Sequence, residues 1–407
     1  MNNISKLIGK SIILYIVFTY IIYLFMPISS LHESNQKEYL TIIFLCYICI
    51  CVYFASKRNG YIPLYKDNSN SILISNGNLT ILLIAFCVLI TLYLFDLVSS
   101  GVAQLSLSMG DNYAAMLEAE QHMNSFWGQI YTLLSPVRIL VIVYSIYYYK
   151  RIGKVNQILT WILLFIFSML TISKGQFVGI GNVAAIILVP LFFKAKHENS
   201  LAKFKRQGSI VLFVFIALFI INQFVRAEAL GNDFVSSYDS DSFFISVFGE
   251  SIGGGILRLF SYFTHGYKGL NYCLQLPFEW TNGYGGSRAL DGYIVQYLRV
   301  PSVFDDTYPM RVEHVFGYDC QKSWPTAFAW WASDFTFIGV GIWMYFITTT
   351  TINVVKDVFY NKSIWAMSFL YQLVILLVFL PMNNQVFQTR DSLIATVGTF
   401  ILWKIFK

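Results

Sequence analysis

Residues 79–98 read LTILLIAFCVLITLYLFDLV, twenty positions with a single charge, Asp96. That is the length of apolar helix that crosses the hydrocarbon core of a bilayer. A surface helix of a soluble protein is apolar along one stripe only, and this one is apolar all round. The stretch is one of a series. Comparable runs fall at about 7–28, 39–56, 126–148, 158–173, 177–193, 208–225, 328–352, 364–382 and 392–406. The sequence therefore predicts an all-α polytopic membrane helix bundle of about ten transmembrane helices. Composition agrees: 56% of residues are apolar and 12% charged, about half the charged share of an average soluble domain. The first run has no small-residue cleavage site after it and is read as a retained helix, not a signal peptide.

Lys and Arg test the count. With the N-terminus inside, the cytoplasmic segments carry Lys6, Lys10, Lys57, Arg58, Lys66, Lys150, Arg151, Lys154, Lys194, Lys196, Lys203, Lys205, Arg206, Lys356, Lys362, Lys404 and Lys407. The short outer loops carry Lys37, Lys174 and Arg390, and the loop 99–125 has no cation. This is the bias of the positive-inside rule, and it predicts ten spans with both termini cytoplasmic. The net charge of +6 is then a topology signal, not a nucleic-acid footprint.

The exception to short loops is 226–323. The predicted organisation is a membrane bundle 1–225 with spans one to seven, a large extracytoplasmic loop 226–323 containing short helices, and a bundle 324–407 with spans eight to ten. Within the loop, Phe243 to Phe263 is apolar but carries Glu250, Arg258 and the Gly253-Gly254-Gly255 run. Glycines weaken a straight helix, and a true span here would break the parity, so 243–263 is read as an interfacial or re-entrant helix. Cys46, Cys49, Cys51 and Cys87 lie in apolar runs and read as packing residues. Cys273 and Cys320 fall in the outer loop, where disulfides persist, and are expected to pair.

Charges in the bilayer are costly, so those retained there are informative. Arg138 follows the helix-bending Pro136 and reads as half of a structural pair with a carboxylate. The turn Ser173-Lys174-Gly175-Gln176 places one Lys on the outer side, with a glycine that permits close approach of a ligand. Arg226, Arg288, Arg299, Arg311 and Arg390 add outer-side cations. Each alone reads as solvated loop surface; together they suit a diphosphate, because guanidinium donates two parallel hydrogen bonds. His314 sits in Arg311-Val312-Glu313-His314, a cation and a titratable base within one helical turn, whereas His265 reads as a loop residue. Phe278 to Gly286 mixes aromatic rings with Glu279 and Asn282, as a sugar-binding surface needs, though an interfacial aromatic belt has the same composition. No metal-ligand spacing and no phosphate-cradling nucleotide loop is present, so neither metal nor cofactor is expected.

Three features resemble the O-antigen polymerase (Wzy) family of oligosaccharide repeat-unit polymerases. The layout, with one long outer loop in the C-terminal half, is similar. Ser173-Lys174-Gly175 resembles the family's Ser-Arg-Gly turn, with Lys for Arg. Trp324-Pro325-Thr326-Ala327-Phe328 followed by Asp334-Phe335-Thr336-Phe337-Ile338-Gly339 resembles the family's Thr-x-Phe and Asp-Phe-Gly-x-Ile-Gly stretch, with Thr336 for the first Gly. The spacing from Arg258 to Gly269 also resembles a family pattern. The resemblance implies a bacterial inner-membrane glycosyltransferase with a periplasmic loop. Its substrates would be undecaprenyl-pyrophosphate-linked oligosaccharides among the membrane lipids. A chain-length regulator and a flippase of the same pathway would be its partners, and nucleic acid would not. On this footing Lys174, Arg226 and one or more of Arg288, Arg311 and Arg390 hold the pyrophosphate. His314, or failing it Glu313 or Asp291, takes the acceptor proton. Ser173, Gly175, Thr326, Asp334 and Gly339 complete the motifs. A lipid-linked glycan ligase and a polysaccharide flippase or transporter stay open as rivals.

Overall fold

A computed structural model describes residues 2–28, 36–58, 61, 74–103, 125–173, 177–229, 242–320 and 323–407; the side chains of 2, 177–178, 219–229 and 250–251 lie outside the description. Every apolar run named above forms a helix. In chain order these are α1 (Asn2–Leu24), α2 (Glu38–Arg58), α3 (Asn76–Ser99), α4 (Phe126–Leu133), α5 (Ser135–Tyr147), α6 (Lys154–Ser173), α7 (Phe177–His197), α8 (Leu201–Ala229), α13 (Ala327–Asn361), α14 (Ile364–Val378) and α16 (Arg390–Ile405). Between α8 and α13 lie α9 (Phe243–Thr264), α10 (Gly266–Cys273), α11 (Arg288–Tyr293) and α12 (Tyr308–Phe316), and α15 (Gln385–Gln388) precedes α16. No strand occurs among the described residues.

Six helices among the described residues (α1, α2, α3, α6, α7 and α13) are long and apolar enough to cross a bilayer, and α4 with α5 makes a seventh if their 56° bend lies within one span. Their outward faces carry large bare apolar side chains, such as Phe18, Ile43, Ile81, Phe165 and Ile338. A soluble protein would bury these; lipid covers them here. The chain is a helical membrane protein.

The chain folds as two compact units, each assembled from separated stretches. One comprises Met1–Leu64, Ser237–Lys356 and Leu373–Leu393; the other comprises Tyr65–Ser236, Asp357–Gln372 and Ile394–Lys407. In the first unit α1 packs on α2, with Gly9 lying against Ser56, so the two run antiparallel. In the second unit α3 packs on α6, and α7 on α8. Asn156 of α6 donates to the Asn76 carbonyl at 3.0 Å and accepts from the Thr80 hydroxyl at 2.6 Å, a polar tie of the kind that registers helices in lipid. Arg138 is 2% exposed; it donates to the Tyr131 carbonyl and lies 3.7 Å from the Tyr131 ring centroid. Its charge is thus held by a π face and a carbonyl beside the Pro136 break.

Two helices break internally. In α9 the break is at Gly249, with φ 76° and ψ 165°, not in the Gly253–Gly255 run, which stays helical. A Cβ at Gly253 would meet the Phe244 carbonyl at 2.3 Å. The chain reverses at Gly249 and lays Phe244 on Gly253, so Gly253 serves contact between the two arms. In α13 the break is at Thr336, with φ 62° and ψ 164°. That region is almost closed to residues with a Cβ, and it falls where the resembled pattern has Gly. The Thr336 hydroxyl accepts from the Gly339 amide at 3.2 Å and so caps the helix that resumes. Replacing Thr336 by Gly is expected to leave the melting temperature of the purified protein unchanged or higher. Thr336→Val keeps the strain and loses the cap, and should cost about 1 kcal/mol or more. This ordering is the reverse of that in a regular helix interior, where Gly is the worse residue.

Candidate functional site

In the first unit one motif residue, Asp334, holds a turn through its carboxylate. Asp334 Oδ1 accepts from the Thr281 hydroxyl at 2.6 Å and the Gly285 amide at 3.1 Å, and Oδ2 accepts from the Gly286 amide at 2.9 Å. The turn needs its glycines. Gly283 has φ 81°, and a Cβ on Gly286 would stand 2.7 Å from Asp334 Oδ2. Neighbouring ties extend the framework. Asn384 Nδ2 donates to the Gly286 carbonyl at 2.8 Å, Ser287 Oγ to the Phe387 carbonyl at 2.6 Å, and the Ala327 amide to the Leu380 carbonyl at 3.0 Å. Three segments distant in sequence, 278–288, 324–334 and 380–390, are thereby fixed together.

This framework sets Arg390 against the helix that Arg288 opens, while the Arg288 guanidinium itself lies over the Phe304 ring, 5.4 Å from its centroid. Arg288 opens α11, and Gly292, four residues on, shares its helix face. Arg390 opens α16; its Nη2 lies 3.6 Å from the Cβ position of Gly292, and its guanidinium sits 4.8 Å from the centroid of the Tyr293 ring. Arg390 makes no ion pair among the described residues. Burial raises the pKa of the Tyr293 hydroxyl, Arg390 lowers it, and Tyr297 and Asp391 raise it. Beside Arg390, both amide atoms of Gln388 are buried with no hydrogen-bond partner among the described residues, as is Asn384 Oδ1. Thr326 Oγ1, Trp330 Nε1, Trp331 Nε1 and His265 Nε2 share that condition. Buried polar groups nearly always bond to something, so each of these atoms marks a place for water or a polar ligand.

Other predicted residues have other surroundings. Arg311 forms a 2.5 Å ion pair with Glu279 and donates to the Pro277 carbonyl at 3.0 Å, which fastens α12 to the segment between α10 and α11. Asp291 is buried and accepts from the Ser302 hydroxyl at 2.7 Å and the Val303 amide at 3.0 Å, closing the 291–303 loop. Glu313 accepts from the Cys320 amide at 3.2 Å. His314 lies in the last turn of α12 and is exposed. Gly339 receives the Thr336 cap, and Ser173 is buried with its hydroxyl on the Leu170 carbonyl. Lys174 and Gly175 lie outside the described residues, as does the Arg226 side chain. Cys273 and Cys320 are buried neighbours, each free rather than joined in the expected disulfide. Burial raises both thiol pKa values, and Cys320 raises that of Cys273 further.

Sequence reading missed α10. Its polar string Gly266-Tyr267-Lys268-Gly269-Leu270-Asn271 reads as loop surface, yet all eight residues of the helix are buried. Asn271 accepts from the Lys37 amide at 3.0 Å and donates to the Thr41 hydroxyl at 3.2 Å, and the Tyr267 hydroxyl meets the Thr19 hydroxyl at 2.8 Å. A Cβ on Gly266 would lie 2.2 Å from the Pro381 carbonyl. The alternation of glycine with polar residues was the available signal: small residues admit backbone contact, and amide side chains satisfy one another in a buried helix. His265, read as a loop residue, caps the junction of α9 and α10. Its Nδ1 lies 3.0 Å from the Ser261 carbonyl, and burial holds its pKa below the usual value. Comparison with family models, curated proteins and solved structures finds no match for this chain.

Two outcomes follow. Asp334→Ala should lower stability by roughly 3 kcal/mol or more, since it strands a hydroxyl and two amides; the check is thermal unfolding in detergent, with Asp334→Asn intermediate. Neither Cys273 nor Cys320 should react with a maleimide in the folded protein, and both should react after unfolding in SDS without reductant. A need for reductant before labelling would mean that the two had closed into a disulfide.

Proposed function

We propose that this chain is an inner-membrane glycan polymerase. It transfers a growing oligosaccharide from undecaprenyl pyrophosphate to a new lipid-linked repeat unit of O-antigen or a related surface polysaccharide. The observation that supports this most is Arg390, which makes no ion pair among the described residues and lies against Gly292 and Tyr293 of the helix that Arg288 opens, with the unpartnered amide of Gln388 two residues before it in the chain. A guanidinium group and an amide are donors that suit a diphosphate leaving group.

In this reading the chain crosses the membrane about ten times with both termini cytoplasmic, and 226–323 is periplasmic. The acceptor sugar hydroxyl attacks the anomeric carbon of the donor glycan. The bond from that carbon to the diphosphate oxygen breaks, and lipid diphosphate leaves with the electron pair. Arg390 stabilises the charge that develops on it. His314, exposed on α12, takes the hydroxyl proton. Glu313 and Asp291 already hold backbone amides and suit that role less. Arg311, paired with Glu279, is assigned to holding the loop. Membrane lipids, a chain-length regulator and a flippase are its surroundings and partners.

The test is the ladder of surface-glycan lengths in a deletion strain carrying each variant, with protein level measured alongside. Arg390→Ala should reduce polymer by about 100- to 1,000-fold, the loss typical of one donor to a developing anion, and Arg390→Lys should recover part of it. His314→Ala should abolish long chains at normal protein level, and an unchanged ladder would remove His314 as the base. In the deletion strain itself, single repeats on the lipid core support a polymerase. A bare core would indicate a ligase, and inward-facing lipid-linked units a flippase.

A further inference from the structure

The segment after α11 is apolar and uncovered. Val295, Tyr297, Leu298 and Val300 are 37%, 65%, 69% and 40% exposed. They occupy a π-helical turn, Ile294–Leu298, and the residues that follow it, where Arg299 adopts a left-handed φ of 55°. π-turns and left-handed residues other than glycine concentrate at functional sites. A run of bare apolar side chains on a loop marks contact with something apolar.

This strip is continuous with Arg390. The Tyr297 ring stacks on Tyr293, centroids 6.0 Å apart and planes 22° from parallel, and Arg390 lies over the same Tyr293 ring. The order along the surface is guanidinium, ring, ring, then Leu298 and Val300. A ligand matching that order has an anionic head and an apolar chain. Arg299, exposed, adds positive charge within the strip; Asp391 beside Arg390 is the carboxylate felt at Tyr293.

We infer that residues 293–300 seat the prenyl chain of a lipid diphosphate, with its first isoprene units against Tyr293 and Tyr297 and its head at Arg390. The inference rests on the diphosphate reading above and adds to it a place for the tail. The exposure of Tyr297 and Leu298 is then the open form of a lipid-binding track.

The experiment uses the full-length protein in nanodiscs and a farnesyl diphosphate analogue carrying a benzophenone at the tail end. After illumination and proteolysis, mass spectrometry locates the adduct. The expected result is an adduct within 293–300, suppressed by farnesyl diphosphate and not by farnesol. It should fall by about tenfold or more in Arg390→Ala, in keeping with loss of a charge-assisted contact. Leu298→Asp, at an exposed position that leaves the framework intact, should lower labelling of the segment as well. An adduct elsewhere that still depends on Arg390 and on the competitor overturns the tail site and leaves the diphosphate reading standing. Labelling of 293–300 indifferent to Arg390 and to farnesyl diphosphate is the behaviour of bulk lipid and overturns both. Cross-links to a second copy through this segment would make it a subunit interface and overturn the inference.

Discussion

The first unit depends on the carboxylate of Asp334. It sits near the start of α13 and accepts one hydroxyl and two backbone amides from the Thr281–Gly286 turn. A turn so rich in glycine has no preferred conformation of its own, because glycine opens more of φ/ψ space than any other residue. An ionised acceptor with several donors offsets that freedom. Once the turn is set, the Gly286 carbonyl is presented to Asn384 and the Ser287 hydroxyl to Phe387. The positions of Arg288 and Arg390 are downstream of that one anchor, although neither arginine touches it. This gives a physical reason for an Asp in the stretch that resembles the polymerase motif, and the reason is architectural: it shapes a loop.

The helices were legible in the sequence because lipid imposes a length and an apolarity that few soluble segments meet. Each run from 7–28 to 392–406 is helical in the structure. The site was legible only in part. Arg288 and Arg390 both read as outer-side cations, but nothing in their spacing of about a hundred residues says that Arg390 packs on the helix Arg288 opens. That packing depends on backbone ties such as Ser287 to Phe387, and backbone groups carry no sequence signature. Arg311 looks equivalent to them in sequence and is not, because Glu279 lies within reach. The glycine run at Gly253–Gly255 was read as a helix breaker; its Gly253 admits the Phe244 backbone, while the break itself falls at Gly249. Composition can count glycines, but cannot say which one has a neighbour pressed against it and which one turns the chain.

Several buried groups combine polarity with enclosure in ways that a membrane protein reserves for particular places. Lys268 is 7% exposed and lies 5.6 Å from the centroid of the Tyr318 ring. Glu38 accepts from the Tyr20 and Tyr23 hydroxyls at 2.9 and 3.1 Å. The first ties α10 to the segment after α12, and the second ties α2 to α1. Tyr267 on Thr19, and Asn271 on Lys37 and Thr41, hold α10 against α1 and α2 with directional contacts where apolar packing alone would leave register free. A loop-like string of residues thus becomes the rigid floor on which the later part of the unit is built.

The interleaving of the two units has a consequence for biosynthesis. Leu373–Leu393 completes one unit and Ile394–Lys407 the other, while each begins hundreds of residues earlier. Helices delivered to the bilayer one after another must therefore wait, partly unpartnered, until the last stretch has been translated. Contacts of such long sequence separation form slowly. An insertion chaperone that shelters early helices, or lipids that hold them in place, would govern the yield of assembled protein more than the strength of any contact in the finished fold.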